Sequence, residues 1–276
     1  LVSGKNTVLV YDVLLRIYDM IPAVIRLRCV MIYFMHVPKT AGTSMRRLFT
    51  STISDDAIAY IYMPPSGIEL DALQKMPRPR VDALKLVFGH FPYGIDARLE
   101  RTGKYLTCLR ETAGRLVSNY RQHVRGGFVG DMGFLEYFES WSPRDMDNYT
   151  VRLLAGVGHD LPFGGVTEAH LSLAKKNLVE HFAAFGLYEY LHESIQNFSQ
   201  ILGLRPVKLG QENATPAAQS AQNIPQPEIA AVVAHNALDV QLYAFAKASF
   251  LERQAEAAAQ MVAPASKFLN RLGRFG

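Results

Sequence analysis

The sequence predicts an α/β fold, a single domain built on one parallel sheet flanked by helices. Three observations predict it. Short apolar runs rich in β-branched and aromatic residues alternate with segments of helical periodicity. The 276 residues are enough to bury the core of one such domain. Lys39, His90 and Arg110 each follow the end of a predicted strand, and open α/β sheets bind ligands at the carboxyl ends of their strands.

Val30 to Val37 is the first strand, closed by Pro38, which has no N–H to give a sheet ladder. A small polar loop follows, and Met45 to Phe49 continues as helix. Ala57 to Met63 is a strand ended by Pro64 and Pro65. Residues 68–79 are loop or short helix, with Pro77 and Pro79 as breakers. Lys85 to Gly89 and Lys104 to Leu109 are strands that run into His90 and Arg110. Thr112 is placed to cap a helix reaching Val124, with Leu116, Val117 and Tyr120 on its buried side. A glycine-rich loop from Arg125 to Gly133 leads to helical segments at Phe134–Ser140 and Met146–Leu154. The aromatics from Phe128 to Trp141 are read as core or as a lid. Thr167 opens a helix to His181, Ala183–Leu187 is the last strand, and Glu189–Leu202 is a helix closed by Gly203. Residues 205–227 read as a surface excursion, and Glu228 to Gln260 as helix with one break. The expected organisation is an amphipathic N-terminal extension at 1–29, the domain proper at 30–260 and a basic C-terminal tail at 261–276.

The loop after the first strand carries the chemistry. Lys39-Thr40-Ala41-Gly42-Thr43-Ser44 joins a strand to a helix start. Glycine lets backbone approach a ligand, and the free N–H groups of a helix start, with the helix dipole, favour an anion. A lysine beside them adds a point charge. This is a phosphate-holding turn, but not the Walker order, because the lysine precedes the glycine.

Composition narrows the partners. With 29 basic and 25 acidic residues the net charge is +4, which suits an anionic ligand, while no dense basic tract calls for nucleic acid. Cys29 and Cys108 sit in or beside apolar strand patterns and read as half-buried thiols rather than a disulfide framework, and no metal-ligand spacing is present. Residues 8–25 form an amphipathic pattern (Leu14, Leu15, Tyr18, Ile21) interrupted by charges, too short to span a membrane and unlike an export signal. A cytoplasmic protein is expected, with this segment packed on the domain or lying at a membrane surface.

Several ordered segments carry a family resemblance. His36-Val-Pro-Lys-Thr-Ala-Gly-Thr-Ser44 resembles the 5′-phosphosulfate loop of sulfotransferases that use 3′-phosphoadenosine 5′-phosphosulfate (PAPS). It looks most like the carbohydrate branch containing the heparan and dermatan 2-O-sulfotransferases. Phe88-Gly-His-Phe-Pro-Tyr-Gly94 is similar to that branch's second motif, and Cys108-Leu-Arg-Glu-Thr-Ala-Gly-Arg-Leu-Val-Ser-Asn-Tyr120 to the family's 3′-phosphate motif. Asn148–Gly156, Ala174–Leu187 and Asn236–Tyr243 also resemble family segments, so the likeness covers residues 30 to 250. The chain departs from the pattern in having Glu111-Thr112 after the arginine where the family has Asp-Pro, and in showing no membrane anchor such as the eukaryotic Golgi members carry.

The resemblance implies a P-loop NTPase-like sheet, the sulfotransferase fold, with a sulfotransferase domain at 30–260. It implies PAPS as cosubstrate, no metal, and a hydroxyl acceptor on a saccharide or glycolipid. Lys39 would contact the phosphosulfate, with Thr40, Ala41, Gly42, Thr43 and Ser44 forming the loop and supplying backbone and hydroxyl donors. Arg110 and Ser118 would hold the 3′-phosphate. His90 is the general base, histidine being suited to that work near neutral pH, or else a strand-end histidine bonded only to backbone. His36 is read as structural, Arg115 as one half of a structural ion pair, and Tyr93 and Arg121 as lining an acceptor cleft. The competing functions are a P-loop kinase using ATP and a non-catalytic nucleotide-binding relative.

Overall fold

The structure is a computed structural model describing residues 30–62, 66–140, 146–158, 161–204 and 224–272. The N-terminal extension with Cys29, residues 205–223 of the surface excursion and the last four residues lie outside the described residues, as do the side chains at 258 and from 260 onward.

The sheet comprises β1 (Met31–His36), β2 (Ile58–Ile61), β3 (Leu86–Gly89), β4 (Gly103–Leu109) and β5 (Phe182–Leu187). Its order is β2-β3-β1-β4-β5, and every pairing is parallel. The α/β fold with a parallel sheet and flanking helices is therefore as the sequence predicts. From β1 the chain runs to the edge strand β2, returns to β3 beside β1, and then crosses to β4 and β5 on the other side, so the strand order reverses around β1, where such sheets open a ligand crevice.

Period-two alternation sends successive residues of each strand to opposite faces. Tyr33, Met35, Val87, Tyr105 and Phe185 enter one core cluster. It is covered by α7 (Tyr149–Ala155), α8 (Glu168–Glu180) and α11 (Ala237–Leu272), which contribute Leu153, Leu178 and Phe250. Ile32, Phe34, Phe88, Leu106 and Cys108 enter the other. There α1 (Gly42–Thr50) and α9 (Leu191–Leu202) contribute Leu48 and Phe198. Cys108 is a buried free thiol, and burial pushes its pKa up. A smaller cluster joins α5 (Thr112–Arg125) to α6 (Phe134–Ser140) and to Val232 of α10 (Gln226–His235).

Residues 68–84 contain two short helices, α2 (Leu70–Gln74) and α3 (Arg78–Ala83). Pro77 stands at the break between them, while Pro79 lies inside α3 and breaks nothing. Pro77 is the N-cap of α3 and Pro79 stands in its first turn, where a missing N–H costs nothing. The short α4 (Ile95–Arg98) follows β3. Thr112 is not the cap of α5. Glu111 is, and its carboxylate accepts from Ala113 N at 2.8 Å and Gly114 N at 2.7 Å. An acidic cap meets the positive end of the helix dipole, so Glu111 stabilises the helix start in place of Thr112.

Asn148–Gly156 and Asn236–Tyr243 interlock. Asn148, held in the left-handed region at φ 45°, accepts through Oδ1 from Leu238 N (3.0 Å) and Asp239 N (3.1 Å). Asn236 Oδ1 returns a bond from Asn148 N at 2.8 Å. Asp239 accepts from Thr150 N and Val151 N and pairs with Arg115 Nη2 at 3.0 Å in a site closed to solvent. Arg115 is thus structural, as expected. The α10–α11 bend of 82° sits at this junction. Among the described residues, no single helix is long and apolar enough to cross a membrane.

Candidate functional site

Read along the carboxyl edge in sheet order, the strand ends carry Tyr62, His90, His36 with the Lys39 loop, Arg110, and Tyr188. Consecutive members touch. Tyr62 stands edge-on to His90 at 4.7 Å between ring centroids, and His90 stacks on His36 at 5.0 Å. Arg110 Nη1 donates to the Lys39 carbonyl at 3.1 Å, and the Arg110 guanidinium lies 4.1 Å from the centre of the Tyr188 ring. Lys39, His90 and Arg110, from three separate segments, form one row.

The loop is tightly wound. Lys39 (φ 69°) and Ala41 (φ 66°) both occupy the left-handed region without being glycine, a strained state that clusters at ligand sites. Thr40 is fully buried and its hydroxyl donates to Val37 O at 2.7 Å. That hydroxyl proton is committed to the loop, which leaves Thr40 only its backbone N–H for a ligand. Ala41 caps α1 with no side-chain hydrogen bond, and the first intrahelical bond is Met45 N to Ala41 O. Gly42, Thr43 and Ser44 therefore keep N–H groups that no helical carbonyl can take, with no acidic residue in the first turn to compete for them. Gly42 has a second reason to be glycine: a Cβ there would lie 2.3 Å from His36 Cε1 and Nε2. The imidazole edge packs where that side chain would stand.

His36 is a neutral wedge. Burial, then the neighbouring His90 and Lys39, hold its pKa well below the ordinary histidine value. Its Nδ1 is 2.7 Å from Tyr62 Oη, and burial raises the Tyr62 pKa, so that hydroxyl keeps its proton. His90 Nδ1 stands 2.6 Å from the His36 carbonyl, which can only accept. The proton of neutral His90 is therefore on Nδ1, and Nε2 carries the lone pair. Gly89 permits this placement, since a Cβ there would meet Ile61 O at 2.1 Å. Gly42, His36 and His90 thus connect the loop to the end of β3 through direct contacts.

On α5, positions 114, 118 and 122 share one face. A Cβ at Gly114 would be 3.4 Å from Arg110 Nε, while Gln122 accepts through Oε1 from Lys39 Nζ. Ser118 lies between them, on the face that spans both cations. Burial, then Arg125 and Arg110, lower the Lys39 pKa to about 8. Among the described residues neither Lys39 nor Arg110 has a carboxylate partner. Two cations and an uncapped helix start, with no carboxylate paired to either cation among the described residues, fit a polyanionic ligand. Among the described residues no group of His, Cys, Asp and Glu is arranged to hold a metal ion.

Tyr93 does not line this site. Its ring packs on Tyr105 (4.9 Å), His181 (5.6 Å) and Phe182 (5.9 Å), toward the amino-terminal halves of β4 and β5. Four neighbours of the site were not identified from the sequence: Tyr62, Gly114, Gln122 and Tyr188. For Gly114 and Gln122 the signal was present, since they stand four residues to either side of Ser118.

No family model matches the chain, and no curated protein matches it. Solved structures do. Among them is mouse sulfotransferase SULT7A1 complexed with PAP, 13% identical with a TM-score of 0.38, the match covering 75% of this chain and 63% of that one. That likeness is too distant to assign an activity.

Proposed function

We propose that this chain is a sulfotransferase that moves a sulfuryl group from PAPS to a hydroxyl of a saccharide or glycolipid, in the cytoplasm. The observation that carries this reading is the row Lys39–His36–His90 with Arg110, on one edge and linked by direct contacts. The loop motifs resemble those of PAPS-dependent enzymes, and the site's charge suits a doubly phosphorylated adenosine.

In this reading the acceptor hydroxyl gives its proton to His90 Nε2 as its oxygen attacks sulfur. The new S–O bond forms while the S–O bond to the 5′-phosphate breaks, and the electron pair leaves with the phosphate oxygen. Sulfuryl transfer, like phosphoryl transfer, is catalysed mainly by positioning and by neutralising the leaving oxygen. Lys39 and the N–H groups of Gly42, Thr43 and Ser44 supply that neutralisation. Arg110 and Ser118 hold the 3′-phosphate, which orients the donor without taking part in bond changes.

The test is transfer of radiolabel from PAPS across oligosaccharides, glycolipids and phenols, with Lys39→Ala as control. Label on a saccharide or glycolipid that disappears in Lys39→Ala is the expected result. Calorimetry with ATP–Mg²⁺ and with 3′-phosphoadenosine 5′-phosphate (PAP) separates the alternatives. Preference for ATP–Mg²⁺ would replace this reading with a kinase, and tight PAP binding without transfer would replace it with a binding protein.

A further inference from the structure

We propose that Tyr188 and Gly114 make Arg110 a preset receptor for a phosphate on the 3′ oxygen, and that Tyr188 sets the site's selectivity for nucleotides carrying one. The inference rests on the reading above and adds to it two residues that shape recognition.

An arginine at the rim of a cleft has many rotamers to lose on binding. Arg110 has already lost most of them. Nη1 is anchored on the Lys39 carbonyl, and the guanidinium plane lies over the Tyr188 ring. Tyr188 is itself fixed. It opens the short 3₁₀ turn Tyr188–Tyr190 directly after β5, and Glu189 ties that turn down. Glu189 Oε1 accepts from Glu111 N at 3.0 Å, and Oε2 accepts from Tyr243 Oη at 2.7 Å. The turn that carries the ring under Arg110 is therefore tied to the start of α5 and to α11.

Among the described residues the opposite edge of the guanidinium, Nε and Nη2, makes no hydrogen bond beside the one Nη1 gives to Lys39. A Cβ on Gly114 would sit 3.4 Å from Arg110 Nε and 3.6 Å from Nη2, with Glu111 Oε2 at 3.3 Å. A glycine in the first turn of a helix sacrifices stability relative to alanine. Here it keeps clear the edge that presents two parallel N–H donors, the geometry that grips a phosphate bidentately. The Glu111 carboxylate is occupied by the Ala113 and Gly114 N–H groups. Tyr188 supplies the plane, Gly114 the opening, and Ser118 follows one turn further along the same face.

The experiment is calorimetry with two probes, PAP and adenosine 5′-monophosphate, which differ in the 3′-phosphate. The wild-type chain should prefer PAP. Tyr188→Leu should weaken PAP about tenfold and leave the monophosphate unchanged, while Tyr188→Phe, which keeps the aromatic face, should bind as wild type. Gly114→Ala should weaken PAP by a similar factor while the ligand-free chain melts no lower than wild type. Equal loss of both nucleotides in Tyr188→Leu, or no loss of either, overturns the inference and leaves the proposed function standing. Unaltered PAP binding by Gly114→Ala overturns the role of the open edge. A wild-type chain with no measurable grip on PAP overturns the proposed function and this inference together.

Discussion

Arg110 Nη1 donates to the carbonyl oxygen of Lys39 at 3.1 Å, so a side chain from the end of β4 clamps the backbone of the turn after β1. The clamp brings two cations to one turn, and the Lys39 amine responds with a pKa of about 8, lowered by burial and then by Arg125 and Arg110. Below about pH 8 the ligand-free amine is charged, and PAP affinity should be flat once the ligand's phosphates are ionised, above about pH 7. Above about pH 8 the free amine is neutral and binding must take up a proton, so the dissociation constant should rise by up to tenfold per pH unit. Lys39→Met should bind more weakly and show no such limb. Calorimetry across this range decides it, and an equally steep limb in Lys39→Met would show that another group titrates. Without ligand, this lysine's contribution to stability has a definite sign. Between about 8 and the ordinary 10.5 the unfolded chain binds more protons, so stability from this group rises with pH.

The hydrogen bond from His90 Nδ1 to the His36 carbonyl leaves Nε2 as the only site on His90 that can take a proton. Asparagine at position 90 has an amide N–H for that carbonyl but no basic nitrogen. His90→Asn should therefore lower kcat by about 10²- to 10⁴-fold while PAP affinity and the melting temperature stay near wild type. Steady-state rates beside calorimetry separate the two effects. Undiminished turnover in His90→Asn would remove His90 from the role of base.

The sheet and the three chemical residues were legible in the sequence because each is a local pattern. Val30–Val37 is apolar and β-rich, Pro38 ends it, and Lys39, His90 and Arg110 directly follow strands. What was not legible depends on which strands become neighbours. Tyr62 meets His36 and His90 only because β2 lies next to β3 and β3 next to β1. Tyr188 meets Arg110 only because β5 pairs with β4. Tyr93 follows a motif histidine closely in sequence yet packs on Tyr105 and His181, since the chain after Gly89 turns back along the sheet face. The helix starts one residue earlier than the Thr112 cap implied, so Thr112 is its first residue and the cap position falls to Glu111, whose carboxylate accepts from the Ala113 and Gly114 N–H groups.

The packing of His36 against Gly42 makes a compensation test available. Gly42→Ala places a methyl 2.3 Å from the imidazole, a contact that cannot persist, and overpacking of this kind costs about 1–3 kcal/mol. Transfer should fall as well, because the displaced ring is the one stacked on His90. His36→Ser opens the space, so the double variant should recover most of the stability lost by Gly42→Ala, while leaving His90 without its stacking partner and turnover low. Thermal melts and rates on the four proteins of the cycle measure the coupling. Strict additivity of the two melting shifts would mean that the ring and the glycine do not constrain one another.

Asp239 is a residue whose loss should damage the fold without touching a ligand. It pairs with Arg115 Nη2 at 3.0 Å with both side chains almost fully buried, and it accepts from Thr150 N at 3.2 Å and Val151 N at 2.9 Å. Its removal would strand a buried guanidinium and two N–H groups at the start of α7. Breaking a buried pair on one side costs about 3–5 kcal/mol, whereas an apolar replacement of both partners is often close to neutral. Asp239→Ala should therefore lower the urea midpoint sharply, and Arg115→Met combined with Asp239→Leu should recover part of it, less the backbone bonds to Thr150 and Val151. Arg115 is five residues from Arg110 on the segment that presents the guanidinium, yet it points into the core and carries no ligand. PAP affinity of the folded fraction at low temperature should stay close to wild type in the double variant. A double variant no more stable than Asp239→Ala would show that the carboxylate acts through Thr150 and Val151 alone, and that the buried charge on Arg115 is not what makes its loss costly.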